Sequence, residues 1–348
     1  MNKCYFLGAN SGKGFYSLYE HFPPQGAFLH IIKAGPGTGK STFMRKIAAA
    51  AEKKGYDVEY ILCSGDPNSL DGVYITQINE AWVDGTSPHI TEPQLFGVNS
   101  DYVNLGEFLT KDFSDSHSER ITELNREYKQ QYSMAYNYLS AAAELRKTFR
   151  TDFFNDDAKS AIKRRCSSIL KRNLGHGSGK PGKIEYRFIS AVSCLGYYRL
   201  NYSVNELCKL KYQFDSSLQA LSFTLEHAAT EAVRRGVDII VCPSPLNPEE
   251  IEAILIPSHS LALLGNDWQF TDAKSVHIDN MADLKLLQSC KAEIKETQKL
   301  EKKTMELAYG KLHCAKTLHD ELEAIYKSHM DFSALSKFTD SYIKNLLK

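Results

Sequence analysis

Short apolar runs and helix-spaced apolar stripes alternate along this chain. Ala27-Phe28-Leu29-His30-Ile31-Ile32 is an apolar run of the kind a central parallel strand shows. Phe43, Met44, Ile47, Ala48 and Ala51 then recur at the three- and four-residue steps of one helix face, and Gly55 stops the helix. Val58 to Cys63 reads as a second strand, and Ala81-Trp82-Val83 as a third that ends on Asp84. Further on the pattern turns helical. Leu124, Tyr128, Ala135, Tyr138, Ala142 and Leu145 form one stripe, and Met305, Ala308, Leu312, Ala315, Leu322 and Ile325 form another. Such stripes pack against other helices. The preferred reading is that they pack on each other or on the α/β units of the same chain; a partner-protein groove or a homodimer seam is the alternative.

Slid against itself, the chain matches at one offset. Ala50-Ala51-Glu52-Lys53-Lys54-Gly55-Tyr56-Asp57 resembles Glu231-Ala232-Val233-Arg234-Arg235-Gly236-Val237-Asp238, 181 positions later. The same offset pairs Pro67 with Pro248 and Leu70 with Ile251, and nearly the same offset pairs Phe6 with Phe188 and Gly14-Phe15 with Gly196-Tyr197. Met134-Ala135-Tyr136 and Leu139 return as Leu307-Ala308-Tyr309 and Leu312. The expected architecture is an α/β fold of tandem duplicated units with parallel-rich sheets, each followed by a long helical insertion. The expected division is residues 1–174, a linker at 175–182, and residues 183–348.

Between the first strand and the first helix lies Ala34-Gly35-Pro36-Gly37-Thr38-Gly39-Lys40-Ser41-Thr42. It follows the Walker A pattern of glycine, four residues, then Gly-Lys-Ser/Thr, with Ala34 at the opening position. A strand before and a helix after aim backbone N–H groups and the helix dipole at a polyphosphate. In this pattern Gly37 and Gly39 let the chain approach the phosphates, Lys40 contacts the β- and γ-phosphates, and the Ser41 hydroxyl ligates Mg²⁺. The repeat sets Asp215 to Phe223 opposite this loop, with Leu221 at the place of Lys40 and no glycine. A loop without glycine cannot bring successive amides onto phosphate. The second unit reads as a P-loop fold that has lost its ligand, which leaves one nucleotide site per chain.

An acid that serves a magnesium-bound nucleotide has no reason to remain where the loop has gone. Asp84 faces Gly265 across the repeat, and Asp66 faces Asn247. Asp84 has the form of a Walker B carboxylate and is the first candidate to hold Mg²⁺ with Ser41; Asp66 is the second. The alternative for both is a loop-capping aspartate. Lys40, Asp84 and Asp66 are thus the candidate catalytic groups. His89 is either a γ-phosphate sensor or an ordinary histidine. Lys13, in the glycine-rich stretch Gly8 to Phe15, belongs to a solvated turn or helps to read the ligand; it faces Leu195 across the repeat, and Asn10 faces Val192. Gly175 to Pro181 imitates a phosphate loop, but Pro181 follows Lys180 and prevents a helix from opening there.

Several of these strings together, namely Gly12-Lys13-Gly14-Phe15-Tyr16-Ser17, the Walker loop, Cys63 to Asp71, Val83 to His89 and His319-Asp320-Glu321-Leu322-Glu323, resemble a family of duplicated P-loop ATPase-like proteins found mainly in Firmicutes. The resemblance spans almost the whole chain. It implies a P-loop NTPase-like fold in both units. In related sequences the second unit can carry its own glycine-lysine loop, which this chain lacks.

Composition narrows the setting. The 348 residues support two ordinary domains, and 43% hydrophobic with 24% charged content is usual for a soluble protein. No apolar stretch is long enough to span a membrane, and the chain is expected in the cytoplasm. The eight cysteines include no Cys-x-x-Cys pair, and Cys63 and Cys242 take matching strand ends as small buried hydrophobes. Forty-two cationic side chains balance forty-two acidic ones, which disfavours broad nucleic-acid binding. The basic stretch from Lys159 to Lys183 reads as a solvated linker that lacks aromatic residues for base stacking, although it could dock an anionic partner. The expected function is Mg²⁺-dependent ATP binding with slow hydrolysis, used as a conformational switch. Adenine is preferred because no Asn/Thr-Lys-x-Asp base-reading string stands in the expected position. A small-molecule or nucleotide kinase and a non-catalytic nucleotide sensor are the rival readings.

Overall fold

The first half of the chain builds one sheet and the second half rebuilds it. This is a computed structural model, and it describes residues 3–86, 90–93, 95–110, 112–148, 153–175, 180–215 and 217–348. The first unit contains β1 (Lys3–Phe6), the hairpin β2 (Gly8–Ser11) and β3 (Gly14–Ser17), β4 (Phe28–Lys33), α1 (Lys40–Lys53), β5 (Val58–Leu62), β6 (Leu70–Ile75), β7 (Glu80–Asp84) and β8 (Ser100–Asn104). Two helices follow, α2 (Asp115–Lys147) and α3 (Asp156–Leu174). The second unit contains β9 (Ile184–Tyr186), the hairpin β10 (Ser190–Ser193) and β11 (Gly196–Arg199), α4 (Asn201–Leu207), β12 (Leu210–Phe214), α5 (Leu221–Arg234), β13 (Ile239–Pro243), β14 (Ile251–Ile256), β15 (Leu261–Gly265) and β16 (Lys274–Val276). It is followed by α6 (Leu284–Lys327) and α7 (Phe332–Leu346).

The large sheets run β1-β5-β6-β7-β4-β8 and β9-β13-β14-β15-β12-β16, the same order strand for strand. Both are mixed rather than parallel-rich throughout. In the first, β6 lies antiparallel to β5 and β7 while the other pairings are parallel. In the second, β14 repeats this between β13 and β15. Even the irregularity recurs, with a register shift at Ile61/Leu62 and another at Cys242/Pro243. β6 is buried at all six positions, yet Asp71 and Gly72 interrupt its apolar pattern, which hides it from a periodicity reading.

The sheets meet edge to edge where Phe6 and Phe188 form an antiparallel bridge, with N–H to O distances of 2.9 and 3.0 Å. These residues are repeat counterparts, so the pairing has the self-matching character of a two-fold interface. A buried ion pair crosses nearby, the Arg187 Nε donating to Glu59 over 2.8 Å. Burial opposes the Arg187 charge, but Glu59 more than offsets it and holds the guanidinium above its ordinary value.

The long helices α2 and α6 pack on each other along one antiparallel seam, as the ring contact of Tyr128 with His319 and the ion pair of Arg146 with Glu301 show. Leu139, Ala142, Ala308 and Leu312 fill its centre. The stripes therefore face one another inside the chain.

The terminal helices cross over. α3 sets Ile162, Cys166, Ile169, Leu170 and Leu174 against the second unit, in one core with Phe214, Leu225 and Ala229. α7 sets Leu335, Phe338 and Tyr342 against Phe43 and Trp82 of the first. The stretch expected as a solvated linker is thus mostly a packed helix: its Ile and Leu residues recur at helical steps between the cations, and Asn155 caps it by accepting from the Ala158 N–H. His176 to Gly179, the core of the expected linker, lie outside the described residues.

Candidate functional site

The glycine-rich loop connects β4 to α1, at the end of the sheet where Asp84 also emerges. Gly37 and Gly39 have φ of +68° and +93°, a region where a side chain costs roughly 1–2 kcal/mol. Lys40 opens α1 and folds back over the loop, its Nζ donating to the Ala34 and Gly35 carbonyls over 3.1 and 2.7 Å. Thr38 Oγ1 donates to the same Gly35 carbonyl over 2.7 Å. Lys40 Nζ also stands 3.5 Å from Asp84 Oδ2, both side chains being largely buried.

Asp84 reaches this position because β7 lies parallel beside β4 in a register that sets it next to Ile32. Its Oδ1 accepts from the Thr86 N–H and hydroxyl over 2.9 and 2.5 Å, which leaves Oδ2 turned toward Lys40. In the neighbouring antiparallel strand, whose ladder with β7 runs to Gly72 opposite Val83, Asp71 is the next residue, at the register shift between β5 and β6. Asp71 is buried, and its charge lies close enough to the Tyr19 phenol and the Cys63 thiol to raise both. Burial, then the charges of Asp71 and Asp84, hold the Tyr19 phenol well above its usual range.

Sequence reasoning missed Asp71. The acid-sorting argument discards it, because the second unit keeps an acid, Glu252, at the matching place. The two are chemically unlike. Glu252 accepts from the Ser190 and Tyr197 hydroxyls over 2.5 and 2.8 Å, and burial raises its pKa to about 7. Gly265 ends β15 where Asp84 ends β7.

Ser41 Oγ accepts from the Leu70 N–H over 3.0 Å. Ser222 Oγ accepts from the Ile251 N–H over 3.1 Å at the equivalent place, although no glycine loop exists there. This bond is therefore architectural; a hydroxyl has a proton and a second lone pair left for a ligand. Leu221 indeed occupies the Lys40 position at the start of α5, and Ser216 of the opposing loop lies outside the described residues.

The second half roofs the loop. A Cβ on Gly37 would stand 2.7 Å from the Glu323 carbonyl oxygen, one on Gly35 3.2 Å from the Tyr326 ring, and one on Gly39 3.1 Å from Leu335. Bare glycine is what lets the last turns of α6 and the start of α7 seat there. About two turns earlier, Lys316 Nζ lies 3.4 Å from Asp66 Oδ2 and bonds Asp320. Burial opposes the Lys316 charge, and Asp320 with Asp66 outweighs it and raises the ammonium pKa. His319 is pushed down by burial, against the pull of Glu323 and with Lys40 among the nearby cations. His319, Asp320 and Glu323 bring ligand atoms within 4.8 Å of one another, but Asp320 and Glu323 already serve Lys316 and Lys327.

Asp66 thus belongs to the roof contact, where its Oδ1 also accepts from the Asn68 N–H over 3.1 Å to cap the turn. Lys13 pairs with Glu249 of the second unit. Asn10 is buried and donates to the Val192 carbonyl over 2.8 Å, so it joins the two hairpins. His89 lies outside the described residues. All eight cysteines are free thiols. No helix among the described residues is long and apolar enough to cross a membrane.

No family model matches the chain, and neither the curated proteins nor the solved structures contain a significant match.

Proposed function

We propose that this chain binds one Mg-ATP on the loop from Ala34 to Thr42 and hydrolyses it slowly, as a conformational switch. The observation that carries this reading is the meeting of Lys40 with Asp84 over 3.5 Å, a lysine directly after a three-glycine turn beside a carboxylate from the neighbouring parallel strand. Loop amides and the start of α1 would hold the phosphates. Lys40, now donating to two loop carbonyls, would move those bonds to β- and γ-phosphate oxygens. Ser41 and Asp84 would hold Mg²⁺, which neutralises charge on the phosphates. Asp71, buried in the next strand, is a second carboxylate and would act as the base that orients the attacking water.

The switch follows from the roof. A loop that rearranges around a phosphate must disturb its contacts with Glu323, Tyr326 and Leu335. Those residues belong to the second half, so the degenerate unit serves by supplying α6 and α7. The internal repeat points to the same division at 1–174 and 183–348.

Calorimetric titration with Mg-ATP tests the reading. The expected result is one site per chain. Lys40→Ala should weaken binding by about 1.5–3 kcal/mol, the range for a hydrogen bond to a charged group, which is roughly ten- to over a hundredfold. Leu221→Ala should leave binding unchanged. Two equivalent sites in the parent protein, or full-strength binding by Lys40→Ala, would overturn it.

A further inference from the structure

Helix α3 carries its charge on the side it does not bury. With Ile162, Cys166, Ile169, Leu170 and Leu174 turned inward, helical rotation of about 100° per residue puts Arg164 and Lys171 on one edge of the outer face and Arg165 and Arg172 on the other. All four are exposed. None of these four side chains has an ion-pair or hydrogen-bond partner among the described residues. The acids of α3 are Asp156 and Asp157 in its first turn, where the helix dipole favours them. In a chain whose 42 cationic and 42 acidic side chains balance, this face is a local excess of one sign. Like charges one or two turns apart repel, and an anionic partner relieves that repulsion.

We infer that this face docks the phosphate backbone of duplex DNA. Residues seven apart in a helix are separated by about 10.5 Å, and duplex DNA offers one negative charge per roughly 1.7 Å of axis. Each cationic row thus spans about six backbone charges. No aromatic side chain stands on the outer face of α3, so the stacking that single strands need is missing. The apolar face is packed against the second unit, so the helix cannot sink into a bilayer as membrane-surface helices do. Contacts of this kind position a duplex without reading its sequence.

Fluorescence anisotropy of the full chain with short labelled duplexes of unrelated sequence tests the inference. Equal affinities are expected. With about four phosphates neutralised, log K should fall against log salt with a slope near −3.6, so a fourfold rise in salt weakens binding about a hundredfold. The variant Arg164→Glu/Arg165→Glu/Lys171→Glu/Arg172→Glu should lose more than about tenfold of the affinity and flatten the slope, and circular dichroism should show its fold intact. Arg164→Ala/Arg172→Ala should show an intermediate loss. Absence of duplex binding at low salt, an unchanged slope in the fourfold variant, a preference for single strands, or binding to phosphatidylserine vesicles in place of duplex would each overturn the inference.

Discussion

Trp82 donates its indole N–H to the hydroxyl of Tyr342 over 3.0 Å, joining the centre of the first sheet to the end of the chain. Tyr342 also packs edge-on against Phe43 and His30, so α7 acts as an outer wall of the first unit. Tyr342→Phe keeps the ring and strands a buried donor. It should destabilise the protein by about 1–3 kcal/mol, seen as a lower midpoint in urea denaturation. An unchanged midpoint would mean that Trp82 finds another acceptor.

The roof makes two glycines unequal. Gly37→Ala would meet Glu323 backbone atoms at 2.7 and 3.0 Å as well as the left-handed backbone penalty. Gly55→Ala, at φ +79°, meets nothing within 4 Å and carries only that penalty. Expected losses are about 3 kcal/mol and about 1 kcal/mol. Thermal unfolding of both variants checks the difference; equal losses would show that α6 gives way freely.

Duplication was legible in the sequence because helix stops and strand ends such as Gly55/Gly236 and Leu70/Ile251 carry similar residues at one spacing. The loop, Lys40 and Asp84 were legible because β4, α1 and β7 each have a clean apolar pattern. Asp71 was hidden twice, by breaking the apolar run of its own strand and by having Glu252 as counterpart. The crossing of α3 and α7 was not legible, since an apolar stripe tells that a helix face is buried and not against which unit. The cations of α3 masked its five inward residues in the same way.

The paired carboxylates separate binding from turnover, a prediction that rests on the proposed nucleotide site. Asp84→Asn should keep Mg-ATP affinity within about a factor of ten while phosphate release stops, because it removes metal-directed charge and not the loop amides. Asp71→Asn should also slow release, whereas Asp66→Asn should weaken only the Lys316 contact. Release that persists in Asp84→Asn and stops in Asp66→Asn would reverse these roles.

Glu252 makes stability depend on pH. Its pKa rises from 4.5 to about 7 on folding, chiefly through burial, so the folded chain keeps a proton that the unfolded chain releases. Its contribution is complete below about pH 4.5 and lost as pH rises through 7, about 3 kcal/mol in all. Glu252→Gln, which can still accept from Tyr197, should flatten this part of the profile. Denaturation series at pH 5, 6, 7 and 8 would show it, and parallel profiles for the two proteins would place the titration elsewhere.

The exchange of terminal helices bears on ancestry. A chain of one repeat would leave the groove over its own α1 bare and its last helix without a seat, and two such chains would complete each other by trading that helix. The Phe6–Phe188 bridge joins counterpart residues, the arrangement a two-fold pairing of two such chains would have. Fusion into one polypeptide lifts the requirement that both copies bear the same residues. The segment around Leu221 holds neither glycine nor lysine, while α6 and α7 that follow it still complete the other unit.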